Sequence, residues 1–167
     1  MRAFRRRTYS GPIDFLRDLR FLVGNRSLVK AAMRSGAISF GFRERLMMVV
    51  TEVNGCRYCT WYHSAQSIKA GLSDDELRAL REGEIPDGAP AEEIPALLYA
   101  RHWAQANAMP DPEAVRRLAD AYSEERAVQI NAILRMIRAG NLMGNSLDLL
   151  LYRLSFGRLG VTARDAR

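Results

Sequence analysis

The stretch Arg43–His63, RERLMMVVTEVNGCRYCTWYH, decides how this chain is read. Its valines would suit a strand, but Glu44, Arg45, Met47 and Met48 break strict alternation and no hairpin partner follows. Leu46, Val49, Val50 and Val53 instead recur at helical spacing, which predicts a helix from about Phe42 to Asn54. Asn54-Gly55 is a turn signal, so a second helix starts around Cys56 and runs to Ala70, closed by Gly71. On that helix Cys56, Cys59 and His63 stand at i, i+3 and i+7 and share one face.

The flanks read the same way. Pro12 opens a helix carrying Phe15, Leu16, Leu19, Leu22 and Val23, ended by Gly24-Asn25. A short helix with Leu28, Val29, Ala32 and Met33 stops near Ser35-Gly36, and the two together form an arm for the core or for a neighbouring subunit. Downstream, Ser73 and Glu76 fit a capping box, Glu84 to Pro90 is a loop, and Ile94, Leu97, Leu98, Ala100 and Trp103 mark a helix towards Asn107. After the break at Met109–Pro112, Val115, Leu118, Ala119 and Tyr122 form another helix. Ser123 then caps one with Ile130, Ile133, Leu134 and Ile137, ended by Gly140. Leu147, Leu150, Leu151 and Leu154 predict a last helix, and the arginine-rich tail beyond it is expected to be unstructured. With no convincing strand and no internal repeat, the fold class is all-α, a compact domain of roughly seven to nine helices.

Composition narrows the function. The chain has 167 residues, 48% hydrophobic and 26% charged, which suits one globular domain. Its longest apolar runs, Leu46–Val50 and Leu149–Tyr152, fall far short of the roughly 20 residues of a membrane span. The net charge of +6 is carried by arginine, with Arg2, Arg5, Arg6 and Arg7 at the front and Arg158, Arg164 and Arg167 at the back. These read as mobile basic ends; no zinc-finger spacing or RNP-like segment supports a nucleic-acid module. Two cysteines without a secretory leader point to a reducing, cytoplasmic setting, where a CxxC pair is catalytic or metal-binding.

Cys56, in the first turn, faces unpaired N–H groups and the positive end of the helix dipole, which favour a thiolate. It is also expected to be the more exposed sulfur and the one a reductant attacks. His63, four residues after Cys59, is placed for proton exchange with it. Glu44 and Glu52 both compete for a role beside them, and spacing does not choose. Zinc on Cys56, Cys59 and His63 is disfavoured, since no second Cys/His pair is present. Arg57 either supports a thiolate or faces solvent. Trp61 and Tyr62 close the site or an interface, and His102 and Trp103 are packing or surface groups. Met47, Met48 and Met136 fill the core. Asn141, Asn145 and Asp148 share a face read as solvent, cap or interface contacts.

Glu44, eleven residues, then Cys56-x-x-Cys59-x-x-x-His63 resembles the signature of the alkylhydroperoxidase D and carboxymuconolactone decarboxylase-like superfamily. Arg43-Glu44, the CRYC tetrad, LLYARHWA and GNLMGNSLDLL extend the likeness over about Ser39 to Leu154. The resemblance implies residues 1–38 as a basic segment and helical arm, 39–155 as the core and 156–167 as a basic tail. It selects Glu44 over Glu52 and implies a homo-oligomeric peroxidase for hydrogen peroxide or organic hydroperoxides. In it Cys59 attacks the peroxide, Cys56 resolves, and Glu44 and His63 relay protons. No bound cofactor or metal is expected, only an external dithiol, thioredoxin-like or lipoyl-type. Tyr58 stands where the best-known branch has histidine. The alternatives are a lactone decarboxylase that dispenses with thiols and a non-catalytic oligomeric binding protein.

Overall fold

The computed structural model describes residues 4–34, 36, 38–162 and 165. The readings at Arg2, Ser35, Arg164 and Arg167 lie outside them. Among the described residues the regular elements are helical: α1 Pro12–Gly24, α2 Arg26–Arg34, α3 Phe40–Asn54, α4 Arg57–Lys69, α5 Asp74–Glu82, α6 Ile94–Gln105, α7 Pro112–Ala121 and α8 Glu124–Leu154, with a 3₁₀ turn Ala91–Glu93 before α6. The all-α reading holds, and among the described residues no helix is long and apolar enough to cross a membrane.

The central helix is α3, packed between α8, α6, α4 and α5. Phe42, Leu46, Met47, Met48, Val49 and Val50 are all buried, so the methionines that spoiled a strand pattern fill a second side of a helix that exposes no residue from Phe42 onward. Its charged Arg45 is held by Glu76 at 2.7 Å and Glu93 at 3.1 Å. Ser39 caps α3 through the Phe42 N–H. The Ser73–Glu76 capping box on α5 is present in both directions.

Two sequence expectations fail. Gly140 does not end a helix: α8 runs unbroken for 31 residues, capped by Ser123. A glycine inside a helix weakens it by only about 1 kcal/mol, and no proline or left-handed glycine supports a stop there. Nor is the tail unstructured at its described residues. Asp165 is buried and accepts from the Arg6 Nε at 3.1 Å, while Arg6 also donates to the Gly160 carbonyl. Arg6, expected in a mobile basic end, is itself buried.

The arm also packs differently from a simple amphipathic helix. Asp18 is the residue α1 buries, accepting from Arg138 at 2.5 Å and from the Tyr9 hydroxyl at 3.1 Å. Leu16 and Val23 of its apolar stripe stay exposed.

Candidate functional site

The site is built where α3 turns into α4. Gly55, at φ 75°, is the left-handed cap that reverses the chain within one residue, and Cys56 becomes the N-cap of α4. A sulfur at this position accepts the Cys59 N–H at 3.3 Å, so the helix start itself grips the first cysteine. One turn on, Cys59 Sγ lies 2.8 Å from Cys56 Sγ, and both thiols are free. A further turn brings His63 round to the same face, where its Nδ1 is 2.8 Å from Glu44 Oε2 on α3. The four residues singled out in the sequence thus meet. Glu52 lies elsewhere, against Gly83.

The two sulfurs differ in access, and the expectation that Cys56 is the more exposed is reversed. Cys56 has none of its surface open, whereas Cys59 is partly exposed. The reason is α8. Gly144 comes so close that a Cβ there would sit 3.1 Å from Cys56 Sγ and 3.2 Å from the Tyr58 ring. Cys59, Glu44 and His63 instead border a cleft of about 360 Å³. Its walls include Met33, Phe40, Met47, Tyr62, Met136 and Ile137, and Arg43 lies among them. The Tyr62 ring meets the His63 ring edge-on at 5.1 Å.

The electrostatics follow the hydrogen bonds. The Cys59 thiol donates to Cys56 and, with the backbone N–H groups of Cys59 and Tyr58, lowers the Cys56 pKa to about 7 against the opposing effect of burial. Donation to Cys56, burial and the charge of Cys56 push Cys59 well up from the ordinary thiol range. The Asn141 side chain reaches Cys59 and works the other way. The two thiols titrate as a pair, and the hydrogen bonds favour Cys56 over Cys59 as the sulfur that carries the negative charge.

Behind Cys56 lies a charged network that the sequence did not reveal. Asp148, fully buried, accepts from the Tyr58 hydroxyl at 2.7 Å, from Arg57 at 2.7 Å and from Arg6 at 2.5 Å. Arg57 therefore serves Asp148 and stacks over the Tyr58 ring at 4.7 Å, rather than reaching a thiolate or only solvent. Asn141 and Asn145, read from the sequence as solvent, cap or interface contacts, are fully buried. Asn141 bridges Thr51 and Asn54, each at 3.1 Å, and Asn145 donates to the Asn54 and Arg7 carbonyls, each at 2.8 Å. Because α8 continues past Gly140, this polar face meets the carbonyls of the α3–α4 turn and the N-terminal segment. A polar i, i+4, i+7 row beside Gly144 was the available signal. His102, on α6, pairs with Asp111 at 2.8 Å in an exposed position, and Trp103 is buried as packing.

Residues 23–106 match the carboxymuconolactone decarboxylase family. The chain belongs to that family. It is similar to the uncharacterized protein YdfG of Bacillus subtilis (strain 168), with 27% identity over 118 residues, 67% of this chain and 80% of that protein. Its fold is similar to that of the debrominase Bmp8, solved as a cysteine-to-alanine variant in complex with 2,3,4-tribromopyrrole. The TM-score is 0.61 and the identity 23%, over 81% of this chain and 72% of the other.

Proposed function

We propose that this protein is a thiol-dependent peroxidase that reduces organic hydroperoxides, and hydrogen peroxide less selectively, through Cys56 and Cys59. The observation that carries the reading is the reduced pair itself: two sulfurs 2.8 Å apart, one facing a cleft that also holds a His63–Glu44 hydrogen bond. A cleft of about 360 Å³ with methionine and aromatic walls has room for an organic group that hydrogen peroxide would leave unfilled.

In the proposed cycle the shared proton moves to Cys56, and the Cys59 thiolate attacks the outer peroxide oxygen. The O–O bond breaks, Cys59 becomes a sulfenic acid, and the departing alkoxide takes a proton from His63, which Glu44 orients and which solvent reprotonates. Cys56 then attacks the Cys59 sulfur, forming the disulfide and releasing water. An external dithiol, lipoyl-type or thioredoxin-like, supplies two electrons to restore the pair. No cofactor takes part in this cycle. The exposed apolar residues of α1 and of the C-terminal half of α8, among them Leu16, Val23, Leu147 and Leu150, support a homo-oligomer, which light scattering tests.

A second reading shares the site. The same dithiol can deliver two electrons to a halogenated aromatic ring, and the fold likeness to a debrominase favours including one. The deciding experiment follows consumption of cumene hydroperoxide, hydrogen peroxide and a brominated pyrrole with dihydrolipoamide as reductant. Peroxide turnover that needs Cys59 supports the peroxidase. Halide release without peroxide turnover replaces it with the dehalogenase, and activity on neither overturns both.

A further inference from the structure

We propose that the external thiol attacks the Cys56–Cys59 disulfide at Cys59 and expels Cys56 as the thiolate, with Tyr58, pinned by Asp148, closing the approach to Cys56. The proposal rests on the thiol-peroxidase reading only in supplying a disulfide to be reduced.

Exchange at a disulfide needs the incoming thiolate to approach the attacked sulfur from the side opposite its partner. For Cys59 that approach is available, because the residue borders the open cleft. For Cys56 it is not: none of its surface is exposed, and Gly144 packs so closely that even a Cβ there would sit 3.1 Å from the sulfur. Tyr58 packs against the same point of α8, where a Cβ on Gly144 would sit 3.2 Å from its ring, and this places the ring beside the path to Cys56. That ring is fixed at both ends, by its hydroxyl on Asp148 at 2.7 Å and by the Arg57 guanidinium stacked at 4.7 Å. Asp148 is in turn held by Arg6 at 2.5 Å, so the cover is anchored to the folded N-terminal segment.

The leaving-group side agrees. As the new S–S bond forms between reductant and Cys59, the Cys56–Cys59 bond breaks and its electron pair stays on Cys56. The sulfur that departs is the one the α4 N–H groups stabilise as an anion. The reductant's second thiol then loses its proton and attacks its own sulfur in the mixed disulfide. This releases Cys59 and leaves the reductant as a disulfide, a net transfer of two electrons. Tyr58 is a positioning residue in this scheme.

The test uses full-length Cys56→Ser and Cys59→Ser proteins with glutathione disulfide as the probe and mass spectrometry of the adduct. Rates are taken on the alkaline plateau, where each thiol is fully ionised. Cys59 should react at least roughly tenfold faster than Cys56, the contrast between an open and an enclosed thiolate. Adding Tyr58→Ala to Cys59→Ser should speed Cys56 several-fold, while Tyr58→Ala in Cys56→Ser leaves Cys59 within about twofold. Tyr58→Phe, which keeps the ring and loses the Asp148 bond, should give a smaller gain; it carries the test if circular dichroism shows Tyr58→Ala unfolded. Equal or faster reaction at Cys56 overturns the polarity. A Tyr58 change that speeds both sulfurs alike, or neither, overturns the cover. No peroxide enters the measurement, so a chain without hydroperoxide turnover still returns both rates, and failure here leaves the peroxidase reading standing.

Discussion

The two cysteines sit 2.8 Å apart and in different worlds. On one side Cys59 faces an open, largely apolar cleft with the His63–Glu44 pair. On the other Cys56 is sealed beneath Gly144 and Tyr58, backed by a buried carboxylate and two arginines. Both belong to one helix turn, and their place on it pointed to Cys56 as the more open sulfur; the opposite order of access is made by α8 and by the chain ends. The difference in access between the sulfurs is therefore a tertiary property. A CxxC motif alone carries no information about which sulfur meets solvent.

The largest expected effect separates the two directly. Cys59→Ser should reduce hydroperoxide turnover on the order of 10³-fold or more, since in the proposed cycle it removes the group that attacks oxygen. Cys56→Ser should also stop multiple turnover, but should still consume close to one equivalent of peroxide and leave a Cys59 sulfenic acid that a dimedone probe labels. Single-turnover consumption by Cys59→Ser, with none by Cys56→Ser, would reverse the assignment.

Next in size is the network behind the buried sulfur. Asp148→Asn removes the charge that three donors share and leaves Arg6 and Arg57 facing a neutral amide. Breaking a buried ion pair in this way should lower unfolding free energy by about 3 kcal/mol, measured by urea denaturation. The same change removes a negative charge that raises the Cys56 pKa, so its thiolate should form at lower pH than in the wild type. A more acidic thiol in a less stable protein is the signature. A less acidic one would mean that Asp148 does not act on Cys56 through its charge.

Why this half of the site escaped the sequence is physical. The open half was legible because α3, the turn and α4 are consecutive, and helical spacing alone aligned Cys56, Cys59 and His63. Glu44 came only through family resemblance, since spacing left Glu52 equal to it. The sealed half depends on partners far apart in the chain: Arg6 with Asp148 and Asp165, and Asn145 with the Arg7 carbonyl. A terminal arginine looks like a solvated charge until its carboxylates are found. Gly140 misled for a related reason, because helix stop signals are local and α8 is carried through by packing on α3. Fold class, most helix bounds and the Ser73–Glu76 cap needed no such long-range knowledge.

The contrast between the sulfurs also predicts a pH dependence of stability. Cys56 is lowered from its ordinary 9.0 to about 7, while Cys59 is raised. Between about pH 7 and 9 the unfolded pair holds two protons and the folded pair one, so the unfolded state binds more protons and stability rises with pH. Above the ordinary value the unfolded pair holds none while the folded pair keeps one, and stability falls again. The pair should thus contribute a maximum near pH 9 of roughly 2 kcal/mol, seen as the wild-type minus Cys56→Ser difference in urea denaturation across pH. A difference that falls steadily from pH 7 upward would place the thiolate elsewhere.

The smallest effect tests whether Tyr58 covers the sealed sulfur or supports the fold. Tyr58→Phe deletes one hydroxyl, and Asp148 keeps Arg57 and Arg6, so no buried charge is stranded. The ring is 40% exposed, which limits the value of its hydrogen bond, and the unfolding free energy should fall by only about 1 kcal/mol. A loss of several kcal/mol would make Tyr58 a structural pillar, and any change in Cys56 reactivity would then follow from general loosening. A loss near 1 kcal/mol, with faster exchange confined to Cys56, assigns the hydroxyl to holding the ring in place. The tyrosine would then maintain an asymmetry of access that adds to the charge asymmetry set by the helix N–H groups at Cys56.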